Sequence, residues 1–458
     1  MSAAGCGILA LLLLIGAATA ASAPPAAGRD AAPDVKPLLV LISVDGLKPE
    51  AILEAPRRGL AVPHLRAFLT DGVYSTGVRG VLPTLTYPSH MTLMTGASPA
   101  LHGIYANTTF DPLNRNEHGW YWYAEDARVA TLWAAANTAG LRTANVYWPT
   151  SVGAPITFNL PQIWRTGMED DLKLQRALST PGLEQELSAT LGRYPGGMDE
   201  LVADDEVRAR FAIRLMELKR PDFITVYLTG LDSEEHASGP FSAASNAVLE
   251  RLDGLVGVLR AAAERLAPGR ATVCVVSDHG FAPVEHDVNL YVAFLAAGLF
   301  TLDGAHGIAA WKAMPWLAGG SAAVMLANPG DAATRAAVEA LLDRLARDPA
   351  NGIERVLGHE DIAREGGFPD AAFLISLKSG YEMGSAFSGP LVSGPTHLGT
   401  HGYVPDRAEM RASFFMAGPR VAAGKSLGEI DMRRIAPTLA AVMGVPLPAA
   451  ELGPLQVK

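Results

Sequence analysis

Apolar residues run almost without a break through positions 38–44, 223–228 and 273–277, and each run leads into an aspartate: Asp45, Asp232 and Asp278. Such runs are what parallel strands covered on both faces require. Between them the period becomes helical. Residues 204–219 carry Val207, Phe211, Ile213, Leu215 and Met216 on an amphipathic helix. Residues 242–266 carry Val248, Leu252, Leu255, Val256 and Leu259 on a longer one, which stops at Pro268-Gly269. Further strands are predicted over 77–82, 143–148 and 412–416, and a last helix after Ile430 that ends near Gly444 and Pro446. Pro88 suits the first turn of a helix that Gly96 stops, which leaves Thr86 just ahead of a helix N-terminus.

This alternation predicts an α/β chain with a doubly wound, mostly parallel sheet. From 286 to 394 the texture changes to two helical stretches, short strands at 322–326 and 372–377, and a Gly/Ser-rich tract at 380–394. That segment reads as a smaller inserted cap domain. The catalytic core then comprises 37–285 and the return segment 395–458.

With 458 residues, 49% of them hydrophobic, the chain can bury one large core that carries an insertion. Its net charge of −10 argues against a surface that tracks a nucleic-acid polymer, but leaves open a small phosphoester held in a pocket. Residues 8–20 are apolar and small, and Ala18-Thr19-Ala20 and Ala21-Ser22-Ala23 are cleavage candidates. Residues 1–23 therefore read as a signal peptide, although no Lys or Arg precedes the apolar run, and 24–36 as a disordered leader. The run is shorter than the roughly 20 residues that span a bilayer. A secreted or periplasmic protein without a stable membrane span is expected. Signal removal would leave Cys274 alone, a small buried hydrophobe with no disulfide partner.

Ligands in α/β sheets bind at the carboxyl ends of strands, so the three aspartate endings converge on one mouth. Asp232-Ser-Glu-Glu-His236 can present its first and last residues from one helical turn, and Asp278-His279 and His401 add imidazoles. This inventory is enough for two adjacent cations. Carboxylates mixed with imidazoles, without thiolates, suit Zn²⁺ or Mn²⁺ better than an all-oxygen Ca²⁺ cage. The Thr86 hydroxyl is a poor nucleophile unless a cation lowers its pKa; Thr84 competes for the role. A bimetallic hydrolase follows, in which a threonine attacks phosphorus, water resolves a phosphothreonine, and the backbone N–H after Thr86 joins a side-chain amide in holding the phosphoryl oxygens. Glu234 and Glu235 read as solvated turn residues, His90 and His102 as structural, and His397 as an alternative to His401. Trp120, Trp122 and Tyr123 are candidates to contact a leaving group.

Together, Asp45-Gly46, Thr86-Tyr-Pro-Ser-His90, Asn107, Asp232 with His236, Asp278-His279-Gly280 and Gly399-Thr-His401-Gly-Tyr403 resemble the nucleotide pyrophosphatase/phosphodiesterase branch of the alkaline phosphatase superfamily. The resemblance runs in order through nearly the whole chain after residue 36. It implies a fold of alkaline-phosphatase type and two Zn²⁺, with Mn²⁺ as the substitute. One ion would be held by Asp232, His236 and His401, the other by Asp45, Asp278 and His279, with Thr86 as nucleophile between them. It also implies that Asn107, downstream of His102-Gly103-Ile104, donates to phosphoryl oxygen, and that Tyr87 and Tyr227 bind substrate by stacking on a nucleobase. Tyr-Pro-Ser-His replaces the family's usual Phe-Pro-Asn-His, and Val-Pro follows Tyr403 where Asp-Asn is usual; both departures bear on nucleotide preference more than on phosphoester chemistry. The expected reaction is hydrolysis of phosphodiester or phosphoric anhydride bonds, with release of a nucleoside 5′-monophosphate from a nucleotide substrate.

The rivals are a phosphomonoesterase or phosphonate hydrolase of the same superfamily, and a catalytically silent secreted metal-binding protein. A sulfatase would need a modifiable Cys or Ser at position 86. A monoesterase would want extra cations, for which Lys173 and Arg176 are the candidates. The silent protein would be expected to lack one of the ligands or the nucleophile, and none is missing.

Overall fold

The computed structural model describes residues 37–117, 119–196, 200–304 and 307–458. The signal peptide and leader expected over 1–36 lie outside the described residues. At the centre stands β1 (Leu38–Val44), buried at every position, so both of its faces are covered. After β1 come, among other elements, α1 (Thr86–Thr95) and α2 (Val202–Lys219). Next come β2 (Phe223–Leu228), α3 (Gly230–Ser238) and β3 (Ala271–Val276).

β1 pairs in parallel with β2 on one side and β3 on the other. Thr143–Val146 and Phe158–Leu160 extend the sheet beyond β2, also in parallel. Beyond β3, Phe414–Ala417 runs antiparallel, and Val73–Tyr74 and Lys425–Ser426 complete an eight-stranded sheet. Two groups of helices cover it. α2 packs on Ala243–Leu266, whose buried Leu249, Leu252, Val256 and Leu259 recur at helical spacing, while α1 packs with Leu132–Thr138 and Ile435–Met443. This is a mixed α/β fold around a large, mostly parallel sheet.

Within the span 286–394 a second sheet of four antiparallel strands forms, in the order Ala313–Ala318, Ser321–Leu326, Ala371–Leu377, Ile353–Gly358. Ala282–Val288 pairs with Gly399–Thr400, which delivers the His401 segment to the carboxyl end of β3. No helix among the described residues is long and apolar enough to cross a membrane.

Three local expectations differ. The strand expected over 77–82 ends at Arg79 and pairs with Glu429–Asp431 in a separate two-stranded sheet. The strand expected to reach Trp148 stops at Val146, because Tyr147 takes a left-handed φ of 68° that ends extended structure. Thr86 is the first residue of α1 rather than ahead of it, and Gly96, at φ 70°, closes that helix.

Candidate active site

Because β1, β2 and β3 are adjacent and parallel, their carboxyl ends share one edge of the sheet. Asp45 follows β1, α3 follows β2 and carries Asp232 and His236 one turn apart, and Asp278-His279 follows β3. Among the described residues, two groups of three side chains could hold a cation: Asp45, Asp278 and His279, and Asp232, His279 and His401. His279 Nε2 lies 3.3 Å from Asp45 Oδ1, 3.2 Å from Asp278 Oδ2 and 3.4 Å from Thr86 Oγ1. Asp232 Oδ1 lies 3.6 Å from His401 Nε2 and 3.7 Å from His236 Nε2. The rings of His279 and His401 stack at 3.6 Å, so His279 stands between the clusters and His236 at the outer edge of the second.

Each imidazole is oriented through its other nitrogen. His279 Nδ1 faces Gly280 O at 3.2 Å, His236 Nδ1 faces Gly399 O at 2.9 Å, and His401 Nδ1 faces Thr84 O at 3.1 Å. A carbonyl can only accept, so each Nδ1 carries the proton and each Nε2 turns a lone pair toward the carboxylates. Asp45 Oδ1, Asp232 Oδ1 and Asp278 Oδ2 are buried and find no hydrogen-bond partner among the described residues. Acceptors thus face acceptors. Protonated imidazoles do not resolve this, because burial depresses His279 well below its ordinary pKa, His236 to about 4 and His401 to about 3. Burial, and then mutual repulsion, push the three carboxyls far above the usual carboxylate range. Divalent cations fit: they answer buried carboxylates and neutral imidazoles together, and this donor set is the one that suits Zn²⁺ or Mn²⁺.

Thr86 sits at the mouth of this cluster. Its carbonyl accepts from His90 Nδ1 at 2.8 Å, and His90 Nε2 accepts from Ser43 Oγ at 2.9 Å, which ties the start of α1 to β1. His90 is fully buried, and burial lowers its pKa to about 3, so it acts as a neutral brace. The Tyr87 N–H, expected to point at phosphoryl oxygen, instead donates to Asn107 Oδ1 at 3.0 Å. A backbone donor can only be met by the amide oxygen, so Asn107 Nδ2 is left as the donor on that side.

Both tyrosines expected to stack on a nucleobase are buried. Tyr227 is 2% exposed; its hydroxyl donates to Asp45 Oδ2 and its ring packs edge-on against His90. Tyr87 is 1% exposed, donates to Gln162 Oε1 and meets Trp120 edge-on at 5.4 Å. Neither ring offers a face on which a nucleobase could stack. Trp120, partly exposed and packed on Tyr87 and Trp164, does meet solvent, whereas Trp122 is buried and Tyr123 points outward. Glu235 is also buried behind Asp232, not solvated, and burial raises its carboxyl above the usual range against the pull of Lys48. His397 bonds through Nδ1 to Glu382 at 3.1 Å and reaches none of the three aspartates of the two clusters within salt-bridge distance. Lys173 and Arg176 are paired with Asp170 and Glu184.

Sequence reasoning missed Ser43, Gln162 and the pair Asp205–Arg208 on α2. Only the last left a trace, as two opposite charges three apart in a helix, a pattern that surface helices show just as often.

Residues 39–403 match the family described as type I phosphodiesterase / nucleotide pyrophosphatase. Ectonucleotide pyrophosphatase/phosphodiesterase family member 1 of Homo sapiens is 28% identical over 253 residues, covering 53% of this chain and 23% of that protein. The bis(5′-adenosyl)-triphosphatase of Homo sapiens is 24% identical over 261 residues, covering 56% of this chain and 50% of the relative. The chain thus spans half or less of the length of these relatives. Human ectonucleotide pyrophosphatase/phosphodiesterase 5 superposes with a TM-score of 0.63 at 19% identity, over 90% of this chain and 96% of that one. An inactive murine form of the same protein, in complex with AMP, gives 0.64 at 19% identity, over 92% and 97%. At such identity the likeness speaks for the fold.

Proposed function

The chain belongs to the type I phosphodiesterase/nucleotide pyrophosphatase family, and on that premise we propose that it is a two-zinc hydrolase of phosphodiester or phosphoric anhydride bonds with Thr86 as nucleophile. The observation that carries this reading is the approach of Thr86 Oγ1 to His279 Nε2, 3.4 Å, at the point where His279 joins the two acid clusters. Asp232, His236 and His401 would hold one ion, and Asp45, Asp278 and His279 the other; Mn²⁺ is the substitute. When bound, such ions lower the pKa of a neighbouring hydroxyl or water and stabilise charge on the attacking and leaving oxygens.

The residues of the chain do the rest. Tyr227 fixes Asp45, and the three Nδ1–carbonyl bonds fix the imidazoles. His90 holds the first turn of α1 so that Thr86 Oγ1 faces the mouth. Thr86 Oγ1 attacks phosphorus as its proton is lost to solvent, and the leaving oxygen departs with the bonding electrons and takes up a proton, giving a phosphothreonine. Asn107 Nδ2 donates to a non-bridging oxygen as charge builds there. Water then attacks from the opposite side, the bond to Thr86 breaks, and the hydroxyl recovers its proton. Trp120 offers the apolar contact for a leaving group or base. The AMP complex of the murine relative supports a nucleotide as one substrate class, and the apolar run at 8–20 supports export to the periplasm or medium.

The test compares rates on bis-p-nitrophenyl phosphate and p-nitrophenyl phosphate, with and without chelator. Preference for the diester, lost on chelation and restored by Zn²⁺, is expected. A preference for the monoester would overturn the diesterase reading, and chelator-resistant hydrolysis would overturn the metal.

A further inference from the structure

Helix α3, which brings Asp232 and His236 to the site, starts without a side-chain cap of its own: Thr229 precedes it and makes no capping bond. The cap comes from α2. Asp205 accepts from Thr229 N–H through Oδ1 at 3.1 Å and from Gly230 N–H through Oδ2 at 2.8 Å, answering donors that a helix start leaves open. Arg208, one turn along α2, donates through Nη1 to Asp205 Oδ1 at 2.9 Å and to Thr229 Oγ1 at 3.0 Å. Both charged side chains are fully buried. Gly230 keeps the approach close, since a Cβ there would stand 2.6 Å from Val202 N and 3.0 Å from Asp205 Oδ2.

The same guanidinium is linked to the other cluster through two aromatic rings. Its carbon lies 3.7 Å from the centroid of the Tyr147 ring, Tyr147 stacks on Tyr227 at 6.1 Å and 17°, and Tyr227 donates to Asp45. A buried ion pair is a weak source of stability, and apolar residues of similar volume often serve as well or better. The place of this pair, bonded to the start of α3 that carries Asp232 and linked through Tyr147 to the Tyr227 support of Asp45, gives it a different use.

We propose that Asp205 and Arg208 are positioning residues of the hydrolytic site, holding the start of α3 and the Tyr147–Tyr227 stack so that both carboxylate clusters keep their register with Thr86. The proposal rests on the two-cation reading above. Its test uses Asp205→Asn/Arg208→Met, which removes both charges and leaves neither unpaired, and Thr229→Val, which removes only the hydroxyl that Arg208 grips. Each variant is stripped with chelator, titrated calorimetrically with Zn²⁺, melted, and assayed on bis-p-nitrophenyl phosphate. The double variant is expected to melt close to the wild type, to bind at least one Zn²⁺ about 10- to 100-fold more weakly, and to lose kcat with little change in KM. Thr229→Val is expected to move the same way by a smaller factor. A folded double variant with wild-type Zn²⁺ affinity and kcat would overturn the positioning role. If the double variant does not fold, Thr229→Val decides by the same criterion. Wild-type protein that binds no Zn²⁺ would overturn the two-cation reading itself, a distinct result.

Discussion

Tyr227 donates its phenolic hydrogen bond to Asp45 Oδ2 from within the sheet, so a residue with the look of a substrate-stacking aromatic is a support for a carboxylate. Tyr227→Phe keeps the ring and its packing on His90 and removes only the donor. The variant is expected to fold normally and to lose about 10- to 100-fold in ion affinity or activity, as outer supports of metal ligands do. Isothermal titration with Zn²⁺ and kcat measurements check this. A raised KM with unchanged ion binding would instead return Tyr227 to the substrate.

Asn107 separates ground-state from transition-state binding. With its oxygen engaged by the Tyr87 N–H, only Nδ2 can meet a phosphoryl oxygen. Asn107→Ala is expected to lower kcat by roughly 10²–10³ while KM changes little, the pattern of a donor aimed at developing charge. Steady-state kinetics on a diester decide it, and a loss confined to KM would count against the role.

His401 and His397 compete for one role in the sequence but occupy different places in the structure. His401→Gln is expected to cost one ion, and His397→Gln none, by metal analysis of the dialysed proteins. His397 also gives a pH signature: its hydrogen bond to Glu382 raises its pKa above the ordinary imidazole value. The folded state therefore binds this proton more tightly than the unfolded chain. The resulting stability is present below the unfolded pKa and disappears as pH rises through the folded one. Melting curves of His397→Gln and wild type are expected to diverge at mildly acid pH and to coincide at alkaline pH; equal separation at both would contradict the pairing.

Gly402 follows His401 at φ +82°, and a Cβ there would overlap the carbonyl oxygen of Ala318. Gly402→Ala is expected to cost at least ~2 kcal/mol, from a left-handed backbone and a clash with backbone that cannot yield. Chemical denaturation measures it, and an unchanged midpoint would show that the His401 loop can move aside.

The site was legible where burial is written as a long apolar run. Asp45, Asp232 and Asp278 could be found because parallel strands covered on both faces need unbroken apolar sequence, and the first residues beyond each strand, or the first turn of the helix after it, fall at the crevice. What the runs conceal is the direction of individual polar tips. Nothing in Phe223–Leu228 says that the hydroxyl of Tyr227 turns toward Asp45, and nothing in Thr86-Tyr-Pro says that the Tyr87 N–H is taken by Asn107. Glu235 and the Asp205–Arg208 pair were hidden for another reason. A charge in a helical pattern reads as solvated, and only the packing reveals that these are enclosed: α2 on the start of α3 for Asp205 and Arg208, the Gly46 turn and Lys48 for Glu235. The pairing of Gly77–Arg79 with Glu429–Asp431 joins segments some 350 residues apart, beyond any local pattern.

The nucleophile is open to direct chemical identification. Acid-quenched turnover of bis-p-nitrophenyl phosphate, followed by peptide mapping with mass spectrometry, is expected to show a phosphoryl ester on Thr86 that disappears in Thr86→Ala, a variant that retains bound Zn²⁺ but not turnover. An adduct on Thr84, or full turnover by Thr86→Ala, would contradict the assignment.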